Sequence, residues 1–175
     1  MDDASEHSES PDDLQEEFPF PVRPYLFHLF TTIGRLRDAR LDKALRPLGL
    51  NVTRHRAIAV IALLEPCTMS ELADFSAIDR TTMTRIVDQL VASELVQRAT
   101  PDADRRQVVI TLTEAGQNVY RAALNTIAEV NRQALKGVPD DMLRAMARAE
   151  QSILINLSLD EEHARRLLSF QREKP

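Results

Sequence analysis

The order of patterns in residues 68–113 constrains the fold of this chain more than any other feature. Thr68 stands three residues before Glu71, which is the spacing of a capping box, so a short helix is predicted to begin there and to end near Phe75. Asp79 is a second candidate N-cap, and its negative charge suits the positive end of the helix that follows. The segment therefore predicts a short helix, a turn and a longer helix.

The longer helix is predicted to have an apolar side and a polar side. Apolar residues recur at spacings of three and four and indicate a buried face, formed by Met83, Ile86, Val87, Leu90 and Val91. The polar side carries Thr81, Thr82, Thr84 and Arg85. Threonine and arginine side chains contact base edges in the DNA major groove, so we expect these four to bind DNA. Taken alone, they would indicate only a solvated helix face, because three threonines and one arginine are common on protein surfaces.

Two strand-like runs, residues 95–99 and 107–112, follow the longer helix. They are joined by a polar tip at residues 100–106, which contains a proline turn signal. Arg105 and Arg106 at this tip suit a narrow DNA minor groove, where the negative potential is concentrated. A helix, a turn, a second helix and a β-hairpin together form a winged helix-turn-helix. The predicted fold class is therefore mainly α with a small β wing.

Several motifs in this segment resemble, in order, those of the MarR family of bacterial transcription regulators. They are SELA at residues 70–73, DRTTMTRIVDQL at 79–90, ELVQR at 94–98, DRR at 104–106 and LTEAG at 112–116. Each motif alone is weak evidence for the family, whereas the whole set in this order is specific to it. Where the family usually has glycine before the first wing strand, this chain has Glu94.

The resemblance implies a homodimer joined through terminal helices, which grips double-stranded DNA with two recognition helices. Two-fold symmetry then requires half-sites about 10 bp apart and a near-palindromic operator. It also implies release from DNA by a small effector, often an aromatic acid, bound in a cleft between the dimer helices and the winged domain. Candidate ligand-binding residues are Tyr25, His28, Phe30 and His55, although aromatic residues at helical spacing are also typical of a core.

We divide the chain into an acidic disordered tail at residues 1–20, an N-terminal dimerisation helix at 21–50, the winged domain at 51–113 and C-terminal dimerisation helices at 114–175. The tail contains eight acidic residues and no Lys or Arg, so its charge is −8. Because the whole chain carries −5, the remaining residues carry +3, which suits an anionic partner. Arg54 lies where the second helix is predicted to begin, and we expect it to anchor a DNA phosphate.

Nothing in the sequence predicts an enzyme, a cofactor or a metal site. The four histidines are scattered, and the four glycines form no phosphate-binding loop. We expect a cytoplasmic protein, because no run is long enough to span a membrane and the single cysteine fits a reducing compartment. Two alternatives remain open at this point: a redox switch that uses Cys67, and a winged module that binds proteins instead of DNA.

Overall fold

The part of the chain described by the structure, a computed structural model, is built mainly from helices. It comprises residues 22–75, 79–100 and 107–158 and divides into two compact units between Arg40 and Leu41. The elements are α1 (Val22–Leu45), a 3-10 turn (Arg46–Leu48), α2 (Val52–Leu64), α3 (Met69–Phe75), α4 (Arg80–Ala92), β1 (Val96–Ala99), β2 (Val109–Leu112), α5 (Glu114–Ala134) and α6 (Asp140–Leu157). This order confirms the predicted winged helix-turn-helix.

Three of these helices begin at side chains that cap their first amides. The Asn51 carboxamide oxygen accepts from the Arg54 amide at 2.8 Å, at the start of α2. The Thr113 hydroxyl accepts from the Gly116 amide at 3.0 Å, at the start of α5. Asp79 caps α4 in the same way. In each case a short polar side chain satisfies an amide that has no partner within the helix, and the start predicted at Asp79 is confirmed.

The capping box predicted for α3 is also present. The Thr68 amide donates to Glu71 Oε2 at 2.7 Å, and the Glu71 amide donates to Thr68 Oγ1 at 3.3 Å. Hydrogen bonds from the backbone and the side chain of Thr68 lower the pKa of the Glu71 carboxyl. The reciprocal pair defines where this seven-residue helix begins.

The wing strands form an antiparallel pair in which Val96 lies opposite Leu112 and Ala99 lies opposite Val109. Cys67 adds an isolated antiparallel bridge to Ile110, with its amide donating to the Ile110 carbonyl at 3.1 Å. Cys67 thus extends the sheet by a single bridge. The predicted hairpin tip at residues 101–106 lies outside the described residues.

The core of the second unit collects one apolar side from each of its packed elements. Its largest fully buried side chains are Leu45, Ile58, Ile61, Leu72, Met83, Leu90, Ile110, Val87, Val96 and Cys67. The last turn of α1 also takes part, because Leu41 is buried in the same cluster. This shared core holds α4 and the wing in one unit.

The long helices after the wing differ in burial. On α5, Ala123 is buried, and Tyr120 and Ile127 are partly buried against the core. No residue of α6 is buried. The end of the predicted C-terminal dimerisation helices, at residues 159–175, and the predicted acidic tail lie outside the described residues. None of the described helices is long and apolar enough to cross a membrane.

Candidate nucleic-acid interface

Helix α4 has the two faces that its sequence predicts. Met83, Ile86, Val87 and Leu90 are buried. The four candidate DNA-binding residues, Thr81, Thr82, Thr84 and Arg85, are all exposed on this helix. The core thus holds one side of α4 and leaves its hydroxyl and guanidinium groups available to a partner.

The start of α4 is ordered by its cap. Asp79 Oδ1 accepts from the Thr82 amide at 2.9 Å, and hydrogen bonds from the side chain and backbone of Thr82 lower the pKa of this carboxyl. The Thr84 hydroxyl donates to the Arg80 carbonyl at 2.8 Å. Because its hydrogen is used within the helix, the Thr84 oxygen faces a partner as an acceptor, beside its methyl group.

An ion pair joins the wing to α4. Arg98 on β1 lies 2.7 Å from Asp88 on α4, and both side chains are partly exposed. The sequence does not predict this pair, because a pairing across elements leaves no mark in spacing along the chain. The pair restrains the wing relative to α4. Arg105 and Arg106 lie outside the described residues.

The turn between α4 and β1 contains an unusual backbone conformation at Glu94. Its φ is +58°, in the left-handed region that favours glycine. The Glu94 carbonyl accepts from the Thr113 hydroxyl at 2.6 Å, so the cap of α5 also ties down this turn. Glutamate therefore occupies the conformation for which the family usually has glycine.

Comparisons with known proteins agree with this geometry. A family model described as MarR family matches residues 48–107. The HTH-type transcriptional repressor NicR of Pseudomonas putida is 33% identical over 70 residues, which are 40% of this chain and 44% of NicR. The HTH-type transcriptional repressor IacR of Pseudomonas putida is 25% identical over 155 residues, which are 87% of this chain and 88% of IacR.

A solved structure extends the similarity to the whole described fold. CouR from Rhodococcus jostii RHA1, in a crystal structure bound to p-coumaroyl-CoA, has a TM-score of 0.67 at 23% identity and covers 87% of this chain and 100% of CouR. The match to the MarR family model covers the helix-turn-helix segment, and together these similarities support a MarR-family winged-helix regulator. The chain is accordingly a DNA-binding transcription regulator, and regulators of the MarR family are generally not enzymes. In this fold α3 and α4 are the helix-turn-helix pair, with α4 as the recognition helix.

The Arg54 side chain is hydrogen-bonded within the fold. Its Nη1 donates to the Gly49 carbonyl at 3.0 Å. Its Nη2 donates to the Gln89 carbonyl at 3.2 Å and to Ser93 Oγ at 2.9 Å. Sequence spacing does not reveal these acceptors, because they lie at the C-terminal end of α4 and before α2. The role of Arg54 as an anchor for a DNA phosphate stays a prediction.

The four candidate ligand-binding residues lie in two groups. Tyr25 and His28 lie on α1 with ring centroids 5.0 Å apart, and Phe30 follows on the same helix, 6.1 Å from the ring of Phe27. His55 lies on α2, and its ring stacks on Tyr120 at 6.2 Å. Burial raises the pKa of Tyr120. The sequence does not predict that Tyr120 stacks on His55, because the two residues lie on different helices. Binding of a MarR-family effector by these residues stays a prediction.

Cys67 has the properties of a core residue. Its side chain is 1% exposed, and burial, followed by the charges of Glu71 and Glu65, raises the pKa of its thiol to about 11. A reactive cysteine needs an exposed thiolate, so this environment disfavours the redox alternative. Within the described residues, no group of three His, Cys, Asp or Glu side chains is arranged to hold a metal ion.

Proposed function

We propose that this MarR-family protein is a homodimeric repressor that binds a near-palindromic operator and is released from it by a small effector. We infer the dimer from the exposure of α6, an amphipathic helix of 18 residues in which no residue is buried. Met142, Met146 and Leu157 of this helix are 53%, 41% and 69% exposed. A second copy of the chain would cover this apolar surface, as well as the exposed apolar residues of α1, which include Ile33 and Leu36.

In the proposed complex the first turns of α4 enter the major groove. Arg85 makes a bidentate contact with guanine, and Thr81, Thr82 and Thr84 contact base edges or phosphates. Arg105 and Arg106 at the tip of the wing enter the adjacent minor groove. Support comes from the exposure of the four α4 side chains and from the core, which holds α4 and the wing strands in one unit.

The operator is found by selecting duplexes from a random-sequence library with the purified protein and sequencing those retained. The expected result is a pair of inverted half-sites with centres about 10 bp apart, bound by two copies of the chain. Retention of random sequences without a common motif would contradict the proposal.

Two substitutions separate base reading from groove electrostatics. Arg85→Ala should cost about 1 to 3 kcal/mol on the selected duplex and relax the base preference at one position of each half-site. Arg105→Ala should weaken binding to all duplexes and reduce the slope of log affinity against log salt by about one for each lost contact. Binding titrations on selected and scrambled duplexes at several salt concentrations measure both effects. The same response from both variants would contradict the assignment.

The effector is proposed to be a small aromatic acid. Support comes from the imidazole rings of His28 and His55, because each lies beside an aromatic ring and so offers a hydrogen-bonding group next to an aromatic face. CouR, which shares the fold, was solved with p-coumaroyl-CoA. The effector lowers DNA affinity only if it binds more tightly to the arrangement of the dimer that does not fit DNA.

Release is tested by adding 4-hydroxybenzoic acid, p-coumaric acid or p-coumaroyl-CoA to the complex with the selected duplex and following fluorescence anisotropy. Cyclohexanecarboxylic acid is the non-aromatic control. His28→Ala and His55→Ala should each raise the concentration needed for release by about tenfold, as expected for loss of one charge-assisted hydrogen bond. If all aromatic compounds leave the complex intact, or if the cyclohexane acid releases it equally well, the proposed effector class is wrong.

A further inference from the structure

The guanidinium of Arg54 connects the start of α2 to the end of the recognition helix. It donates to the Gly49 carbonyl, which follows the 3-10 turn, and to two acceptors at the C-terminal end of α4, the Gln89 carbonyl and Ser93 Oγ. The Arg54 backbone is itself held, because its amide is capped by Asn51. One side chain thus links three segments of the second unit.

The hydrogen bonds of Arg54 require the geometry of an arginine side chain. The Nε atom is buried and has no hydrogen-bond partner among the described residues, as expected for a guanidinium packed into the junction between α2 and α4. The fixed fork of a guanidinium reaches separate acceptors in one plane, whereas a lysine ammonium offers a single point of charge. A positive charge also suits the C-terminal end of α4, where the helix dipole is negative.

Ser93 completes the junction. Its hydroxyl donates to the Gln89 carbonyl at 2.5 Å and accepts from Arg54 Nη2 at 2.9 Å. Ser93 is also the C-cap of α4, with its amide donating to Gln89 and Val91. The last turn of the recognition helix is therefore fastened to α2 through Arg54 and Ser93 together.

We propose that Arg54 is a positioning residue for sequence recognition, which fixes the angle of α4 by holding its C-terminal end. Arg85 lies eight residues before Ser93, so about 12 Å of helix separates it from the anchored end. A tilt of about 5° would then move Arg85 by about 1 Å, enough to break a base-edge hydrogen bond. Phosphate contacts tolerate such a shift, because they depend on charge more than on precise geometry.

The inference rests on the proposed role of α4 in reading DNA. It is tested with Arg54→Lys, Arg54→Ala and Ser93→Ala, and with Arg46→Lys as a control on an exposed arginine of the 3-10 turn. The probes are the duplex selected by the unmutated protein and a scrambled duplex of the same composition. Affinity for each is measured at several salt concentrations, and thermal unfolding reports the folded state.

Arg54→Lys and Arg54→Ala should each reduce the ratio of selected to scrambled affinity by about tenfold, and Ser93→Ala by about threefold, since charged hydrogen bonds are stronger than neutral ones. The salt slope should stay unchanged, and Arg46→Lys should behave as the unmutated protein. If Arg54→Ala does not fold, the affinity ratios of Arg54→Lys and Ser93→Ala are sufficient to test the proposal.

Three results would overturn the inference. Full discrimination by Arg54→Lys, with a salt slope lowered by about one in Arg54→Ala, would make Arg54 a phosphate contact. A lower unfolding temperature with unchanged discrimination in all three variants would limit Arg54 to stability. Absence of discrimination in the unmutated protein would overturn the proposed function, and the inference with it, and is thereby distinguishable from the first two results.

Discussion

Glu94 and Cys67 show how the surroundings of a residue decide its role. Glu94 holds a backbone conformation that suits glycine, at the turn that leads from the recognition helix into the wing. Cys67 bridges backbone to backbone with Ile110 and is sealed in the core. From the residue type alone, Glu94 would be a flexible surface charge and Cys67 a reactive thiol. Neither description fits the structure.

Replacing Glu94 with glycine should stabilise the protein. A left-handed backbone costs a residue with a side chain about 1 kcal/mol relative to glycine, so Glu94→Gly should raise the free energy of unfolding by about that amount. Urea denaturation measures the change. The matched control is Ala92→Gly, in the last turn of α4, which should destabilise by about 0.5 to 1 kcal/mol. A similar loss of stability in both variants would contradict the role of the backbone conformation.

Cys67 should react very slowly in the folded protein. With the pKa of its thiol raised to about 11, the thiolate fraction at pH 8 is roughly one hundredth of that of an ordinary thiol, and burial blocks access as well. Labelling with iodoacetamide should therefore be at least about 100-fold slower in native protein than in urea. Because the thiolate is the reactive form, the native rate should rise with pH between 7 and 9, by about tenfold per pH unit.

The redox alternative predicts that peroxide lowers the DNA affinity of the unmutated protein. We expect instead that peroxide leaves the DNA affinity of the unmutated protein and of Cys67→Ser equally unaffected. A loss of affinity that occurs only when Cys67 is present would restore the redox switch.

Between elements, the main constraint is the close approach of α5 to Leu95, the residue that precedes β1. A Cβ atom built at Gly116 would lie 1.9 Å from the carbonyl oxygen of Leu95. The same region holds the Thr113 cap and the Glu94 turn. The junction thus requires a residue without a side chain at the start of α5, so that recognition helix, wing and α5 can meet at one point.

Gly116→Ala should destabilise the protein by about 3 kcal/mol, because backbone atoms must move to make room. Chemical denaturation of the purified variant measures the loss. The control is Gly34→Ala on α1, where an added Cβ meets no atom within 4 Å. That substitution should stabilise by about 0.5 to 1 kcal/mol, since alanine favours a helix over glycine. Equal stability of the two variants would show that α5 can move away from Leu95 at little cost.

For the whole molecule, the dominant feature is apolar surface that the described residues leave exposed. The second unit has a shared core that includes α2, α3, α4, the wing and α5, whereas α6 contributes no buried residue. An amphipathic helix without a core is unstable alone, so its apolar face should pack against a second copy of the chain.

Met146→Glu should shift the protein from dimer to monomer. It introduces a charge into the proposed interface, and sedimentation velocity over a range of protein concentrations measures the association. Gln151→Glu is the control, because it makes the same charge change about 140° away around the helix axis. DNA affinity should fall with the dimer, since the two half-sites are then bound independently. Unchanged association of the Met146→Glu variant would remove α6 from the interface.

Local patterns along the chain determined the helices, their caps, the strands and the family. These features depend on neighbours three or four residues apart, as with Thr68 and Glu71, Asp79 and Thr82, or the buried face of α4. The exposed position of Thr81, Thr82, Thr84 and Arg85 followed from the same periodicity. Only the tertiary structure decided the partners of Arg54, the pairing of Arg98 with Asp88 and the stacking of His55 on Tyr120. Each joins residues that lie far apart in the chain, and such contacts depend on how the elements pack, which periodicity does not encode.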